Sequence, residues 1–397
     1  MGWDFDVIVV GGGPAGSSFA LQLARLDPSL AARTLLLEKY THPREKPCAG
    51  AISAFGMEAL GAAGYVLDVP FLPLEGFRIR FGAQVCEHQR PGLGVVIRRD
   101  AFDHSLWRAA GAAGATLRDG QEVVGLTREG RGWRVQTRQG AYSARVLVAA
   151  DGAGGRVRKL AGFQEPRKRG RLYVLETEPT AQESPESRTM EFDLGVISEG
   201  IEGYYWDFPV IMDGRPAVSR GIYHLNSVPR RDLKQVLCRF LERRDIDPGA
   251  VRFKPFSERG YVHGAEISRP GLLLVGEAAG IDPITGEGIA HALVYAQVAA
   301  GVVAEAFQSG HFHFEQYAPL VRSTLMARHL RQSAALVSRV YGGQGARWAS
   351  FLVQHEKVVA ACARWYEGRP LGARQWLDIA GAWLSGSVAP GRALVRA

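Results

Sequence analysis

Cysteine is scarce in this chain of 397 residues. The four that occur, Cys48, Cys86, Cys238 and Cys362, are too scattered to build a zinc module or a disulfide framework, and read as free thiols of a reducing cytoplasm. Uninterrupted apolar runs of membrane-spanning length are missing too. The most apolar stretch, 288–307, carries His291, Gln297 and Glu305, which predicts a buried helix. No basic-then-apolar leader is seen and a strand begins within a few residues, so a cytoplasmic protein is expected. Acidic residues fall short of basic ones, 40 against 48, leaving a net charge of +8. That sign suits an anionic membrane surface or an acidic substrate; with no nucleic-acid module in view, nucleic acid is not an expected partner. Repeats, low-complexity tracts and obvious linkers are likewise missing. What remains, 46% hydrophobic and 22% charged, is the composition of a globular protein, and the length fits two domains.

The richest segment is the first forty residues. An apolar run, Phe5 to Val10, meets Gly11-x-Gly13-x-x-Gly16, then an alanine- and leucine-rich helix, then a second apolar run, Thr34 to Leu37, that ends on Glu38. Each part has a task if a dinucleotide binds. Gly11 makes the tight turn, Gly13 lets the backbone approach a pyrophosphate, and Gly16 lets the helix pack on the strand. Glu38, 22 residues after Gly16, stands where a carboxylate can accept hydrogen bonds from a ribose.

Further along, 70–97 reads as short strands with turns, 100–114 as a helix, and 121–127, 132–137 and 145–149 as strands. Alternating aromatic and apolar segments over 171–262 predict an antiparallel sheet, interrupted by a helix near 230–243. A buried strand returns at 271–276, a long helix spans 286–308, and Arg-, Ala- and Leu-rich helices follow. The expected division is a nucleotide domain in three parts (1–75, 98–170, 263–315), substrate-domain pieces at 76–97 and 171–262, and a helical region at 316–397.

Two more turns follow buried strands: Asp151-Gly152, and Gly276-Glu277 leading through Pro283 to Thr285-Gly286-Glu287-Gly288-Ile289. Together these pieces resemble the FAD-binding fold of aromatic hydroxylases, flavin-dependent halogenases and geranylgeranyl reductases, over 4–45, 95–165 and 270–308. On that resemblance, a helix starting at Thr285-Gly286-Glu287-Gly288 would aim amide N–H groups and its positive dipole end at the flavin N1–C2=O edge. The resemblance implies an α/β protein: a Rossmann-like FAD-binding domain of the glutathione reductase type, an inserted antiparallel β-sheet substrate domain, and C-terminal helices. It implies FAD contacts from Gly11, Gly13, Pro14, Ala15, Gly16, Glu38, Lys39, Arg44, Cys48 and Ala49. Others are implied at Arg99 (three residues before Phe102-Asp103), Asp151, Gly152, Gly276, Glu277, Pro283, Gly286, Glu287, Gly288 and Ile289. Glu277 stands where the family has aspartate, which leaves its role open.

Two features point to the substrate side. Lys46-Pro47-Cys48-Ala49-Gly50 is similar to the Pro-Cys-Gly-Gly loop of geranylgeranyl reductases, which lies near the flavin ring; Lys46 and Arg44 could steer an acidic headgroup or could simply be solvated. Tyr204-Tyr205-Trp206-Asp207-Phe208-Pro209 looks like their Tyr-x-Trp-x-Phe-Pro motif. Alternation puts Tyr204, Trp206 and Phe208 on one strand face, as a wall for an apolar chain, with Pro209 expected to end the strand. The implied activity is reduction of carbon–carbon double bonds in an isoprenoid or other lipid-like substrate. Hydride would come from flavin N5, and the proton from Cys48, Tyr205 or water. With no second glycine-rich nucleotide site, the reductant is expected to be transient NADPH or NADH, or an electron-donor protein. The competing readings are a flavin monooxygenase (a hydroxylase rather than a halogenase, whose Trp-x-Trp-x-Ile-Pro is not matched) and a flavin-bearing protein without turnover. Arg322, Arg328, Arg331, Arg339 and Arg347, interspersed with Leu, Ala and Val, suit either peripheral membrane contact or a surface helix.

Overall fold

In the computed structural model, which describes residues 2–165, 169–225 and 232–386, two sheets of different construction share one chain. The first is built on parallel strands. Phe5–Val10 pairs in parallel with Thr34–Leu37 on one side and Ala141–Ala149 on the other, and Thr116–Arg118 and Leu272–Leu274 extend the sheet outward. Val7, Ile8, Val9, Leu35, Leu36, Val146, Leu147 and Val148 are all fully buried. Helices cover both faces of such a sheet, so its strands read as continuous apolar runs rather than as alternation.

The helix Pro14–Leu26 packs against the long helix Ile289–Ser309. A Cβ added at Gly16 would sit 1.9 Å from the Gly11 carbonyl oxygen, so the approach of the first helix to its turn has no room for a side chain. The long helix is apolar and long enough to cross a membrane, but 78% of its most apolar window is buried inside the fold.

The second sheet runs in the order Lys254–Arg259, Arg169–Thr177, Arg215–His224, Gly203–Met212, Thr189–Asp193, Phe71–Phe81, Gln84–Ile97, Ala51–Ser53. Its pairing is antiparallel except between Thr189–Asp193 and Phe71–Phe81. Three helices, Leu325–Tyr341, Gly345–Gln354 and Glu356–Tyr366, cover one face of it, packing Val337, Tyr341, Val353 and Tyr366 on Phe77, Phe192, Tyr204, Trp206 and Phe208. The helix Leu233–Glu242 covers part of the other face, over Tyr205 and Ile222. Beside it lies a lattice of charges. Arg220, fully buried, pairs with Glu183 and Asp207 at 2.5 Å each; Arg244 reaches Asp207 (2.6 Å) and Asp193 (3.2 Å); Arg80 reaches Glu191 (2.7 Å).

Several expectations shift. Residues 70–97 form one long hairpin rather than short strands, and the boundary expected at 75/76 falls inside Phe71–Phe81. Pro73, Pro91, Gly92 and a register break between Leu74 and Gly76 disguise the pattern. Ala51–Ser53, expected within the nucleotide domain, belongs to this second sheet. Pro209 does not end its strand, which runs on to Met212. The neighbour Thr189–Asp193 pairs only with Tyr205, Trp206 and Asp207, so the missing N–H of Pro209 falls beyond that ladder. The helix expected near 230–243 is Leu233–Glu242; 230 and 231, like 387–397 of the helical region and 166–168 of the second nucleotide segment, lie outside the described residues.

Candidate active site

Where the parallel strands end, a cleft of about 750 Å³ opens between the two sheets. The turn after the first strand forms one wall. Gly11 holds a left-handed φ of +111°, and a Cβ there would lie 2.3 Å from the Ala150 carbonyl oxygen. Gly13 is different: its nearest neighbours to an added Cβ are the Arg44 Nη2 tip at 3.1 Å and Asp103 Oδ2 at 3.9 Å, so its backbone is bare toward the cleft. Pro14 and Ala15 line the same wall.

Glu38 is buried at the end of its strand. Its Oε2 accepts from the Gly12 N–H (2.9 Å) and its Oε1 from the Tyr40 N–H (3.1 Å). Arg44 bridges Glu38 (3.3 Å) and Asp103 (3.2 Å), and Asp103, fully buried, also holds Arg99 through two 2.8 Å bonds. Lys39 is exposed at the rim. The helix Arg99–Ala112 thus presents Arg99 and the strand end presents Glu38, with Asp103 holding the cations between them.

The opposite side is supplied by residues far along the chain. Asp151 and Gly152 line the cleft, as do Glu277, Gly286, Gly288 and Ile289. Gly152 (φ +72°) and Gly286 (φ +67°) both occupy the left-handed region that side chains avoid. The helix begins at Ile289 rather than 286, because the Asp282–Gly288 turn precedes it. Asp151 Oδ2 accepts from the Val157 N–H at 2.9 Å, whereas its Oδ1 is buried with no hydrogen-bond partner among the described residues. Glu277 Oε1 is in the same state, and its Oε2 lies 3.9 Å from Lys46 Nζ.

Burial lifts the Asp151 carboxyl to about 6. The sign follows: the neutral acid stabilises the fold fully below about pH 3.8, and this contribution is lost as the pH rises through about 6. Asp151→Asn should therefore flatten the fall in melting temperature of the cofactor-free protein across that window, raising stability at pH 7 by about 1–3 kcal/mol. Parallel melting curves of variant and parent from pH 4 to 7 would contradict the assignment.

Some predicted residues lie elsewhere. Tyr205 is on the far face of its strand, fully buried against Phe240, and its hydroxyl donates to Asp207 at 2.7 Å. Burial lifts its pKa well above the usual phenol range. Alternation sends it away from the cleft, so it is withdrawn as a proton donor. Pro209 faces that same side, at the edge of a separate charged cavity of about 600 Å³. Tyr204, Trp206 and Phe208 do share one face, but they are packed under the C-terminal helices and do not line the cleft. The Glu287 side chain turns back to its own helix: Oε1 accepts from the Ala290 N–H (2.8 Å) and Oε2 lies 3.0 Å from His291 Nδ1. Gly276, Pro283 and Gly16 sit behind the lining, and Ala49 borders a side cavity of about 30 Å³ shared with Cys48 and Arg99.

Lys46 is no solvated steering charge. Its ammonium lies 3.0 Å from the Phe256 ring centroid inside the cleft, and burial pulls it down to about 8. Cys48 lines the cleft beside it, half-buried, with its Sγ accepting from the Gly50 N–H at 3.4 Å. Sequence reasoning missed Glu258. It comes from the edge strand Lys254–Arg259, two residues after Phe256 and so on the same face, an i, i+2 relation that was there to be read. Its Oε2 is buried without a hydrogen-bond partner among the described residues, and burial, with Glu277 second, pushes the acid well above the usual carboxylate range.

These features match known proteins. Residues 4–200 fit the FAD binding domain family. Digeranylgeranylglycerophospholipid reductase 2 of Methanopyrus kandleri is 33% identical over 326 residues, covering 77% of this chain and 78% of that protein. The chain belongs to the geranylgeranyl reductase-like family of FAD-binding proteins. Digeranylgeranylglycerophospholipid reductase of Thermoplasma volcanium is 30% identical over 364 residues, 83% of this chain and 86% of that one. The crystal structure of a geranylgeranyl bacteriochlorophyll reductase-like protein from Thermoplasma acidophilum superposes with a TM-score of 0.67 at 25% identity, over 95% of each chain. This member of the family is an FAD-dependent oxidoreductase.

The residues of the cleft fit that cofactor. A bare glycine turn faces a buried carboxylate at the strand end, and two orphaned carboxylate oxygens, on Asp151 and Glu277, await hydroxyl or amide donors. Gly11, Gly13 and Glu38 would hold the adenosine half of FAD, Arg44 and Arg99 its phosphates, and Asp151 and Glu277 its ribityl chain. The turn through Gly286 and Gly288 would meet the flavin edge.

Proposed function

We propose that this oxidoreductase saturates carbon–carbon double bonds of an isoprenoid or similar lipid-like substrate. The observation that supports it best is the placement of Cys48, from the reductase-like loop, on the same cleft as Gly286 and Gly288. Both curated relatives described above carry the name digeranylgeranylglycerophospholipid reductase, which supports the same reading. Bound FAD, once reduced, supplies the hydride. The chain supplies the proton and the dry surroundings: Cys48 and Glu258 line one space, and Lys46 lies beside them on Phe256. An unactivated alkene develops no oxyanion, so holding it at reacting distance is the main task of the protein. The reductant is NADPH, NADH or an electron-donor protein that visits the cleft. Exposed Arg322, Arg328, Arg339 and Arg347 offer cationic side chains to anionic lipid, and Arg347 lies over the ring of Trp383 in the helix Ala373–Gly386, which also exposes Leu377 and Leu384.

Product mass tests the reading. FAD-loaded protein, reduced chemically and incubated without oxygen with a geranylgeranyl-chain glycerophospholipid in detergent, should give products heavier by two hydrogens per bond reduced. A product heavier by one oxygen, formed only in air, would instead establish a monooxygenase.

A further inference from the structure

Three buried tyrosine hydroxyls converge on three successive backbone carbonyls. Tyr223 donates to Pro283 O at 3.0 Å, Tyr341 to Ile284 O at 2.7 Å, and Tyr204 to Thr285 O. The donors come from three elements: the strands Arg215–His224 and Gly203–Met212, where Tyr223 and Tyr204 are direct cross-strand partners, and the end of the helix Leu325–Tyr341. All three rings are buried, at 2%, 7% and 5% exposure. From the other side, the Asp282 carboxylate accepts from the Ile284 N–H (3.0 Å), the Thr285 N–H (3.3 Å) and Thr285 Oγ1 (2.6 Å). Thr285 Oγ1 in turn accepts from the Glu287 N–H at 3.2 Å, and the Gly286 N–H donates to Asp282 O at 3.0 Å. Since Pro283 has no N–H, every backbone polar group from 283 to 285 is engaged.

This turn leads directly into Gly286 and Gly288, which line the FAD cleft. We propose that Tyr204, Tyr223 and Tyr341 are positioning residues that hold this turn from behind and so fix the backbone that Gly286 and Gly288 bring to the flavin edge. The aromatic motif then has a second task beyond packing. Its first tyrosine, with Phe192 and Trp206 against its ring (4.9 Å and 6.0 Å), ties the substrate sheet to the cofactor turn. The assignment depends on FAD binding and not on the identity of the substrate.

The test uses Tyr204→Phe, Tyr223→Phe and Tyr341→Phe singly and Tyr223→Phe/Tyr341→Phe together, with Tyr205→Phe as control. The control loses a buried hydroxyl on the far face of the same sheet. Purified variants are titrated with FAD, and the two-electron midpoint potential and visible spectrum of the bound flavin are recorded beside the melting temperature of the cofactor-free protein. Each single variant should bind FAD about 3- to 10-fold more weakly and the pair about 30-fold or more, since a buried carbonyl that loses its donor favours a different turn. A tenfold loss of preference for reduced over oxidised flavin would appear as a potential about 30 mV more negative. The control should match the parent in affinity, potential and spectrum. Lowered melting temperatures with unchanged FAD affinity, potential and spectrum would overturn the proposal, because the hydroxyls would then serve the fold alone. Should the paired variant not fold, the singles decide.

Discussion

Gly13→Ala should fold and melt like the parent yet bind FAD about 100-fold more weakly, a loss of roughly 2.7 kcal/mol. The reason lies in what surrounds that residue. An added methyl meets only the flexible end of Arg44, at 3.1 Å, and the backbone there is not in the left-handed region, so the cofactor-free protein has little to resist. The same methyl projects into the space through which a pyrophosphate must approach the turn. Gly16→Ala provides the contrast. Its Cβ would lie 1.9 Å from a backbone oxygen that cannot move without opening the helix–strand contact, so that variant should fail to fold rather than fail to bind. Calorimetric titration with FAD, paired with thermal melts of both apoproteins, separates the two. Full-strength FAD binding by Gly13→Ala would mean that the pyrophosphate does not pass this turn.

The second large effect is expected at Gly286. Gly286→Val should purify without stoichiometric FAD, because two costs coincide: a left-handed φ of +67°, which an L side chain adopts at about 1–2 kcal/mol, and a Cβ 2.6 Å from Glu258 Oε2. The costs can be divided. In Gly286→Ala/Glu258→Ala the obstructing carboxyl is gone and only the backbone strain remains, so part of the affinity should return relative to Gly286→Ala. The flavin absorbance-to-protein ratio of each preparation reads this out. Yellow, fully loaded Gly286→Val would remove the flavin edge from this turn.

What the sequence disclosed, and what it hid, divides along physical lines. Strand–turn–helix order is a local property, so the glycine turn with Glu38, the Asp151-Gly152 turn and the start of the long helix could be read one segment at a time. The tryptophan-centred stripe illustrates the limit. Alternation established which rings share a face, and the structure keeps Tyr204, Trp206 and Phe208 together. It could not say what that face meets, and three helices from beyond residue 325 occupy it. The phenol of Tyr205 suggests a proton donor by its chemistry alone, although the alternation that groups its neighbours already sets it on the other side. An acid on an edge strand usually faces water; only the fold reveals that Glu258 turns inward toward Gly286. Lys46 misled in the opposite direction, since a lysine in a polar loop suggests solvent and here lies on the ring of Phe256.

The second sheet is threaded through the nucleotide fold, so the walls of the cleft are drawn from distant parts of the described chain: Gly13 and Glu38 near its start, Gly286 and Ile289 beyond residue 280. A ribosome translating this message must release the chain through about residue 290 before the last wall exists. Prosthetic-group loading is therefore a late event in biosynthesis, and a nascent chain stalled before that point has a first turn but no enclosure in which to keep its flavin.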